Sequence, residues 1–129
     1  MHCDIKPENI LMGMGKNSHI AYLIDFGVSN YFLNQNGDHI EFSSECNLIG
    51  TVRYASPYSH LGLELSRRDD LIALGYFIHF IYNGSLPWQD DVNPNSARCR
   101  VVAKKKGEFL KSLQVKLSPP EFGKYMNYC

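Results

Sequence analysis

The hydrophobic pattern of this chain changes rhythm several times. Ile10-Leu11-Met12 and Ile20 to Ile24 are short runs rich in strand formers, separated by the polar, Gly-rich span Gly13 to His19. That spacing predicts two paired strands bracketing a turn, with Leu11 and Ile24 on one shared surface or in a core. From Val28 to Ser56 periodicity disappears among Asn, Gly, Asp and Ser. A long loop is expected there, and loops of such length inside a domain are usually functional or mobile. Ser66 to Asn83 then reads as a helix: Asp69, three residues after Ser66, resembles a capping box, and Gly84 supplies the stop. Leu71, Ile72, Leu74, Tyr76, Phe77, Ile78, Phe80 and Ile81 lie on all its sides. A helix apolar all round is buried all round. His79 among them is expected to be a packed or hydrogen-bonded core residue.

Beyond Gly84 the pattern predicts a polar, Pro-containing loop from Gln89 to Asn95 and a basic helix from Ser96 to Gly107 with Val101, Val102 and Ala103 inward. Ser118-Pro119-Pro120-Glu121 marks a further helix start, with Phe122, Tyr125, Met126 and Cys129 at helical spacing. The sum is an α+β chain, mainly helical, with a short β-hairpin near its N-terminus.

Composition narrows the class only slightly. With 129 residues, 44% hydrophobic and 20% charged, the chain has the length and make-up of one soluble globular domain. Lys+Arg and Asp+Glu both total 13, so net charge gives no pull toward nucleic acid or membrane, and neither is expected as a partner. The balance conceals a split, because the region from Ser96 onward is basic. Arg98, Arg100 and Lys104-Lys105-Lys106 there read as an anion site, a nuclear address or, more commonly, a solvated face. Cys3, Cys46, Cys99 and Cys129 show no C-x-x-C pair and read as free thiols. No leader-like start and no membrane-length apolar run is evident, and Asn83-Gly84-Ser85 reads as a chance glycosylation triplet.

Two clusters carry chemistry: His2-Cys3-Asp4-Ile5-Lys6-Pro7-Glu8-Asn9 and Asp25-Phe26-Gly27. In type, spacing and order they resemble the catalytic loop and metal loop of a protein kinase, H-R-D, four residues, Asn, two short strands, then D-F-G. The chemistry explains the pattern. Phosphoryl transfer needs in-line positioning and cations beside developing negative charge. An Asp beside the attacking hydroxyl orients it and takes its proton. One carboxylate and one amide oxygen suffice for magnesium once ATP phosphates complete its shell. The resemblance implies Asp4 as base, Asn9 and Asp25 as ligands of Mg2+, and Lys6 against the transferred phosphate, a pattern of serine/threonine kinases. It further implies that Lys6, Glu8, Leu11 and Ile24 face ATP, that Thr51 contacts Asp4 and Lys6, and that His2 and Asp70 support the catalytic loop. Cys3 stands where kinases carry Arg, so control through a phosphorylated loop is not expected to run through that position.

The resemblance extends to casein kinase 1, on Leu11-Met12-Gly13 with Gly15-Lys16, Arg53-Tyr54-Ala55-Ser56, Ser66-Arg67-Arg68-Asp69-Asp70-Leu71 and Gly84-Ser85-Leu86-Pro87-Trp88-Gln89. It implies Ser/Thr protein substrates with acidic or already phosphorylated residues upstream, and Arg53 in an anion site for them. Asp90-Asp91-Val92 stands where that family carries a lysine, and Ser56-Pro57-Tyr58 departs both from its Ser-Ile-Asn and from the A-P-E of other kinases. No Gly-rich loop, strand lysine or helix glutamate occurs in the 129 residues. Residues 1–129 are therefore expected to be a partial kinase domain, resembling the C-terminal lobe from catalytic loop to late helices, intracellular and cytoplasmic or nuclear. Two functions follow: a casein-kinase-1-like transferase using Mg-ATP, or a kinase-derived, non-catalytic module that binds a protein partner. Retention of Asp4, Lys6, Asn9 and Asp25 favours the first, since a scaffold has no chemical need of that set.

Overall fold

The computed structural model describes residues 1–91, 96–112 and 119–129, with the side chains of 96–98 outside that description. Strands β1 (Ile10–Met12) and β2 (Ala21–Leu23) form the expected antiparallel hairpin, Ile10 opposite Leu23 and Met12 opposite Ala21. A 3-10 turn at Pro7–Asn9 leads into it, and another at Gly15–Asn17 lies within its connection. The hairpin is a surface feature rather than core: Leu11 is 51% exposed and Ile24 37%. Residues 28–56 are loop as expected, crossed only by a bridge between Leu33 and His39 among the described residues.

A short helix, α1 (Pro57–His60), follows Ser56. The sequence pattern predicted no element between Ser56, where the expected loop ends, and Ser66. Ser56 starts it, its side chain accepting from Ser59 N, and Pro57 fits the first helical position, where a missing N–H costs nothing. The departure from the usual kinase motif at Ser56-Pro57-Tyr58 is thus accommodated by a capped turn.

Helix α2 (Arg67–Asn83) is the structural centre. The Asp69 carboxylate reaches back to Ser66 N at 2.7 Å, and Gly84, at φ 76°, closes the helix with its N–H on Phe80 O. The expected all-round burial is corrected. Ile72, Ala73, Gly75 and Tyr76 are buried, but Ile78, Ile81 and Tyr82 are exposed. Among the described residues, the packing elements cover one side of α2 only. On that side Tyr54, Ile72, Tyr76, Leu86, Trp88, Val102, Phe122 and Met126 form one buried cluster. Tyr76, Trp88 and Phe109 meet edge to face with centroids 4.8–6.1 Å apart, a geometry worth about 1 kcal/mol per pair beyond burial.

Helix α3 (Ser96–Ser112) continues past Gly107, where the pattern predicted its end. A helical glycine costs only about 1 kcal/mol, and Phe109 and Leu110 beyond it pack on the core. Its inward face is also corrected: Val102 is fully buried whereas Val101 is 45% exposed. Neighbouring helical residues point about 100° apart, so Val102, Lys106 and Phe109 share the inner stripe instead. The basic run is accordingly not one solvated face. Lys104 is exposed beside Glu108, Lys105 pairs with Asp91, and Lys106 is buried. The Arg98 side chain, positions 92–95 of the expected Gln89–Asn95 loop, and Ser118 lie outside the described residues.

Helix α4 (Pro120–Tyr128) packs its expected stripe on α2. Phe122 and Met126 are buried, and Tyr125 donates its hydroxyl to Leu71 O at 2.7 Å. His79 sits between the rings of Phe109 and Phe122, and burial lowers its pKa. This is the packed environment expected of it. No described helix is long and apolar enough to cross a membrane.

Candidate active site

The N-terminal segment is shaped by backbone bonds to one carboxylate. Asp70, in the first turn of α2, accepts from His2 N at 2.7 Å and Cys3 N at 2.8 Å. These bonds hold Cys3 in the left-handed region, at φ 67°, a conformation that costs a residue with a Cβ roughly 1–2 kcal/mol. Gly50 closes the turn from the other side. A Cβ on it would collide with the Cys3 carbonyl, and its φ of 85° also suits glycine.

His2 is buried and joins two loops. Its Nδ1 accepts from Asp4 N at 3.3 Å and its Nε2 donates to Ile24 O at 2.9 Å, so one tautomer satisfies both bonds. The Phe26 ring packs edge-on against the imidazole, with centroids 5.0 Å apart. His2 and Asp70, the residues expected to support this loop, both bond to the backbone of residues 2–4.

Asp4 lies at the centre. Oδ1 accepts from Thr51 N and Thr51 Oγ1, each at 2.8 Å, while Oδ2 receives Lys6 Nζ at 2.7 Å and Asn9 Nδ2 at 3.4 Å. Lys6 Nζ also donates to Thr51 Oγ1 at 3.0 Å. Burial opposes the charge on Asp4, but the Lys6 and Thr51 donors outweigh it and hold the carboxyl below its ordinary value. Lys6 is raised in turn, chiefly by its bond to Asp4, with smaller contributions from Glu8 and Asp25. The pair stays ionised at neutral pH. Asp4 is an acceptor aimed at the surface, and Lys6 is a fixed cation beside it.

The hairpin register brings the backbone of Asn9 beside that of Ile24, whose N–H donates to Asn9 O at 2.9 Å immediately before Asp25. Asn9 is buried and spends its Nδ2 on Asp4, which leaves its amide oxygen as the free end. Asp25 is exposed, at φ 63°, and among the described residues its Oδ1 accepts only from Gly27 N. One hard carboxylate and one amide oxygen fit magnesium, which keeps waters and phosphate oxygens for its other positions. No described group of three His, Cys, Asp or Glu holds a cation by itself. Glu8, Leu11 and Ile24 are exposed.

A family model of the protein kinase domain matches residues 1–123. The chain belongs to the protein kinase family. Members of this family generally transfer phosphate using ATP and Mg2+. In this kinase Arg53 follows Thr51 closely and is half-buried, its carbonyl accepting from Trp88 Nε1 at 2.8 Å. Cys3, where kinases have Arg, keeps its thiol protonated, since burial and the nearby Asp70 charge both raise its pKa.

The kinase motifs include Ser56 and Asp69 but did not pair them, and they did not point to Ser59 or Lys106. Ser56 Oγ donates to Asp69 Oδ1 at 2.5 Å, and Ser59 Oγ donates to Ile49 O at 3.0 Å, tying the loop that carries Thr51 to α1 and α2. Lys106 lies four residues after Val102 on the inner stripe of α3, a placement that only the helix phase in the structure reveals.

Proposed function

We propose that this kinase is a serine/threonine kinase of casein kinase 1 type, transferring the γ-phosphate of Mg-ATP to a protein Ser or Thr. The observation that carries this reading is the three-way contact of Lys6 Nζ with Asp4 Oδ2 and Thr51 Oγ1. An ionised carboxylate, suited to act as a base, and a cation stand side by side. When bound, Mg-ATP supplies the phosphoryl group and positive charge at its oxygens. The chain's own residues do the rest. Asp4 would accept the proton of the attacking hydroxyl as the new O–P bond forms and the bond from the γ-phosphorus to the bridging oxygen breaks, ADP leaving with that oxygen. Lys6 offsets charge on the transferred group, Thr51 fixes the Asp4 carboxylate, and Asn9 and Asp25 offer their oxygens to the ion. Glu8, Leu11 and Ile24 border the nucleotide. Arg53, with a guanidinium suited to phosphate or carboxylate, favours substrates with acidic or phosphorylated residues upstream.

The competing role, a non-catalytic protein-binding module, needs none of the Asp4, Lys6 and Thr51 contacts. The test is transfer to peptide by the natural polypeptide containing residues 1–129, compared with its Asp4→Asn variant. A loss of about 10²–10⁴-fold is expected, with the circular dichroism spectrum unchanged. Near-normal turnover in Asp4→Asn would remove the base assignment, and no turnover in the unaltered protein would favour the binding module.

A further inference from the structure

Lys106 has no part in the chemistry above, yet it is the most unusual charge in the chain. It is fully buried, and among the described residues no carboxylate lies on its amine. Its Nζ donates to Val52 O at 2.7 Å and Ala55 O at 2.5 Å, and His60 Nε2 lies 3.1 Å away. The Tyr76 and Trp88 rings face the same nitrogen at 5.3 and 5.4 Å. Burial lowers the pKa of this amine well below that of an ordinary lysine. The two carbonyl bonds survive either proton count. An ammonium meets three acceptors with three N–H groups, and a neutral amine keeps both carbonyls while accepting from His60.

Burying an amine is costly, and an apolar side chain of the same length would fill the inner stripe of α3 without that cost. The compensating bonds all go to one place. Thr51 O is taken by Tyr54 N and Ala55 N within its own turn, but the Val52, Arg53 and Ala55 carbonyls turn inward. Lys106 takes the first and last of these, and Trp88 Nε1 takes that of Arg53. The segment after Thr51 is thus fastened from beneath at three carbonyls, while Thr51 itself is fastened to Asp4 from above.

We infer that Lys106, assisted by Trp88, is a positioning residue for the protein substrate. By clamping residues 52–55 it fixes the surface on which the acceptor peptide lies, and it couples α3 to peptide binding. This rests on the kinase reading of the Asp4 site, and two separate readouts test it. The variant is Lys106→Met, equal in length but without donors, in the natural polypeptide containing residues 1–129. Loss of two buried bonds should raise the KM for peptide by roughly tenfold. The KM for ATP should stay within about twofold, because Asp4 and Lys6 are not touched. Amide hydrogen exchange at residues 52–55 should accelerate, while residues 72–76 of α2 stay protected.

Trp88→Phe, which removes one donor and keeps a ring, should move both readouts in the same direction by less. It carries the test should Lys106→Met fail to fold. Unchanged exchange at 52–55 in a folded variant would overturn the clamp. Equal rises in both KM values would overturn the positioning role and leave Lys106 as a packing residue. Absence of transfer in the unaltered protein would instead sink the kinase reading, and the substrate role with it, while exchange still reports whether the clamp exists.

Discussion

Asp4 and Asp25 are both carboxylates assigned to one reaction, yet they are held in opposite ways. Asp4 receives four side-chain or backbone donors from Lys6, Thr51 and Asn9, on a loop fixed by Asp70 and His2. Asp25 is exposed, at φ 63°, with one N–H from Gly27. The difference fits the roles proposed for them. A base acts by being in one place, so its position is worth the burial. A metal ligand on the nucleotide side must accept an ion that arrives with other ligands, and a saturated carboxylate could not do so.

The largest expected effect strikes the held side. Asp70→Ala removes the acceptor of two backbone N–H groups and the restraint on a left-handed Cys3. Leaving both donors without a partner should cost about 2–4 kcal/mol, read from urea or thermal unfolding. Transfer should fall with it, since Asp4 follows directly after Cys3. A loss below about 1 kcal/mol would mean that the loop is fixed elsewhere, and the contrast between the two carboxylates would weaken.

Acid should loosen the same side from beneath. Burial, and secondarily the Lys106 charge, lower the His60 pKa from 6.5 to about 4. The unfolded chain takes up this proton near pH 6.5, the folded chain only near pH 4. The contribution is therefore complete above about pH 6.5 and is lost progressively as pH falls toward 4. His79, also lowered by burial, acts in the same direction. The informative quantity is thus the difference in pH slope between the unaltered protein and His60→Gln, and equal slopes would refute the assignment.

Much of the held side was legible because its determinants are local. The spacing of His2, Asp4, Lys6 and Asn9, the hairpin with its turn, Ser66 with Asp69 and Gly84, and the Phe122, Tyr125 and Met126 stripe each depend on residues a few positions apart. What was not legible depends on distant partners. The extent of α2 burial depends on which elements lie against it, which its own apolar residues do not encode. Lys106 reads as a surface charge because its acceptors, Val52 O and Ala55 O, are backbone atoms some fifty positions earlier and leave no side-chain signature. Val101 and Val102 look alike in a run, and only the helix phase set by Phe109 separates them. Ser56 and Asp69 were legible as residues but not as a pair, since loop and helix are joined only in three dimensions.

The smallest expected effect tests the open side most sharply. Asp25→Asn retains an Oδ1 for the Gly27 N–H, and Asn tolerates the left-handed region at least as well as Asp. Stability should therefore change by no more than about 0.5 kcal/mol. Metal binding should change, because an amide oxygen lacks the charge that attracts a hard cation. The readout is paramagnetic broadening by Mn2+ and ATP of the amide signals around Asn9 and Asp25, at equal concentrations in both proteins. Broadening is expected in the unaltered polypeptide and should be much reduced in Asp25→Asn. A stability loss above about 1 kcal/mol would show Asp25 to be held as firmly as Asp4, erasing the contrast. Undiminished broadening would place the ion on other residues, and Asp25 would be left as a turn former.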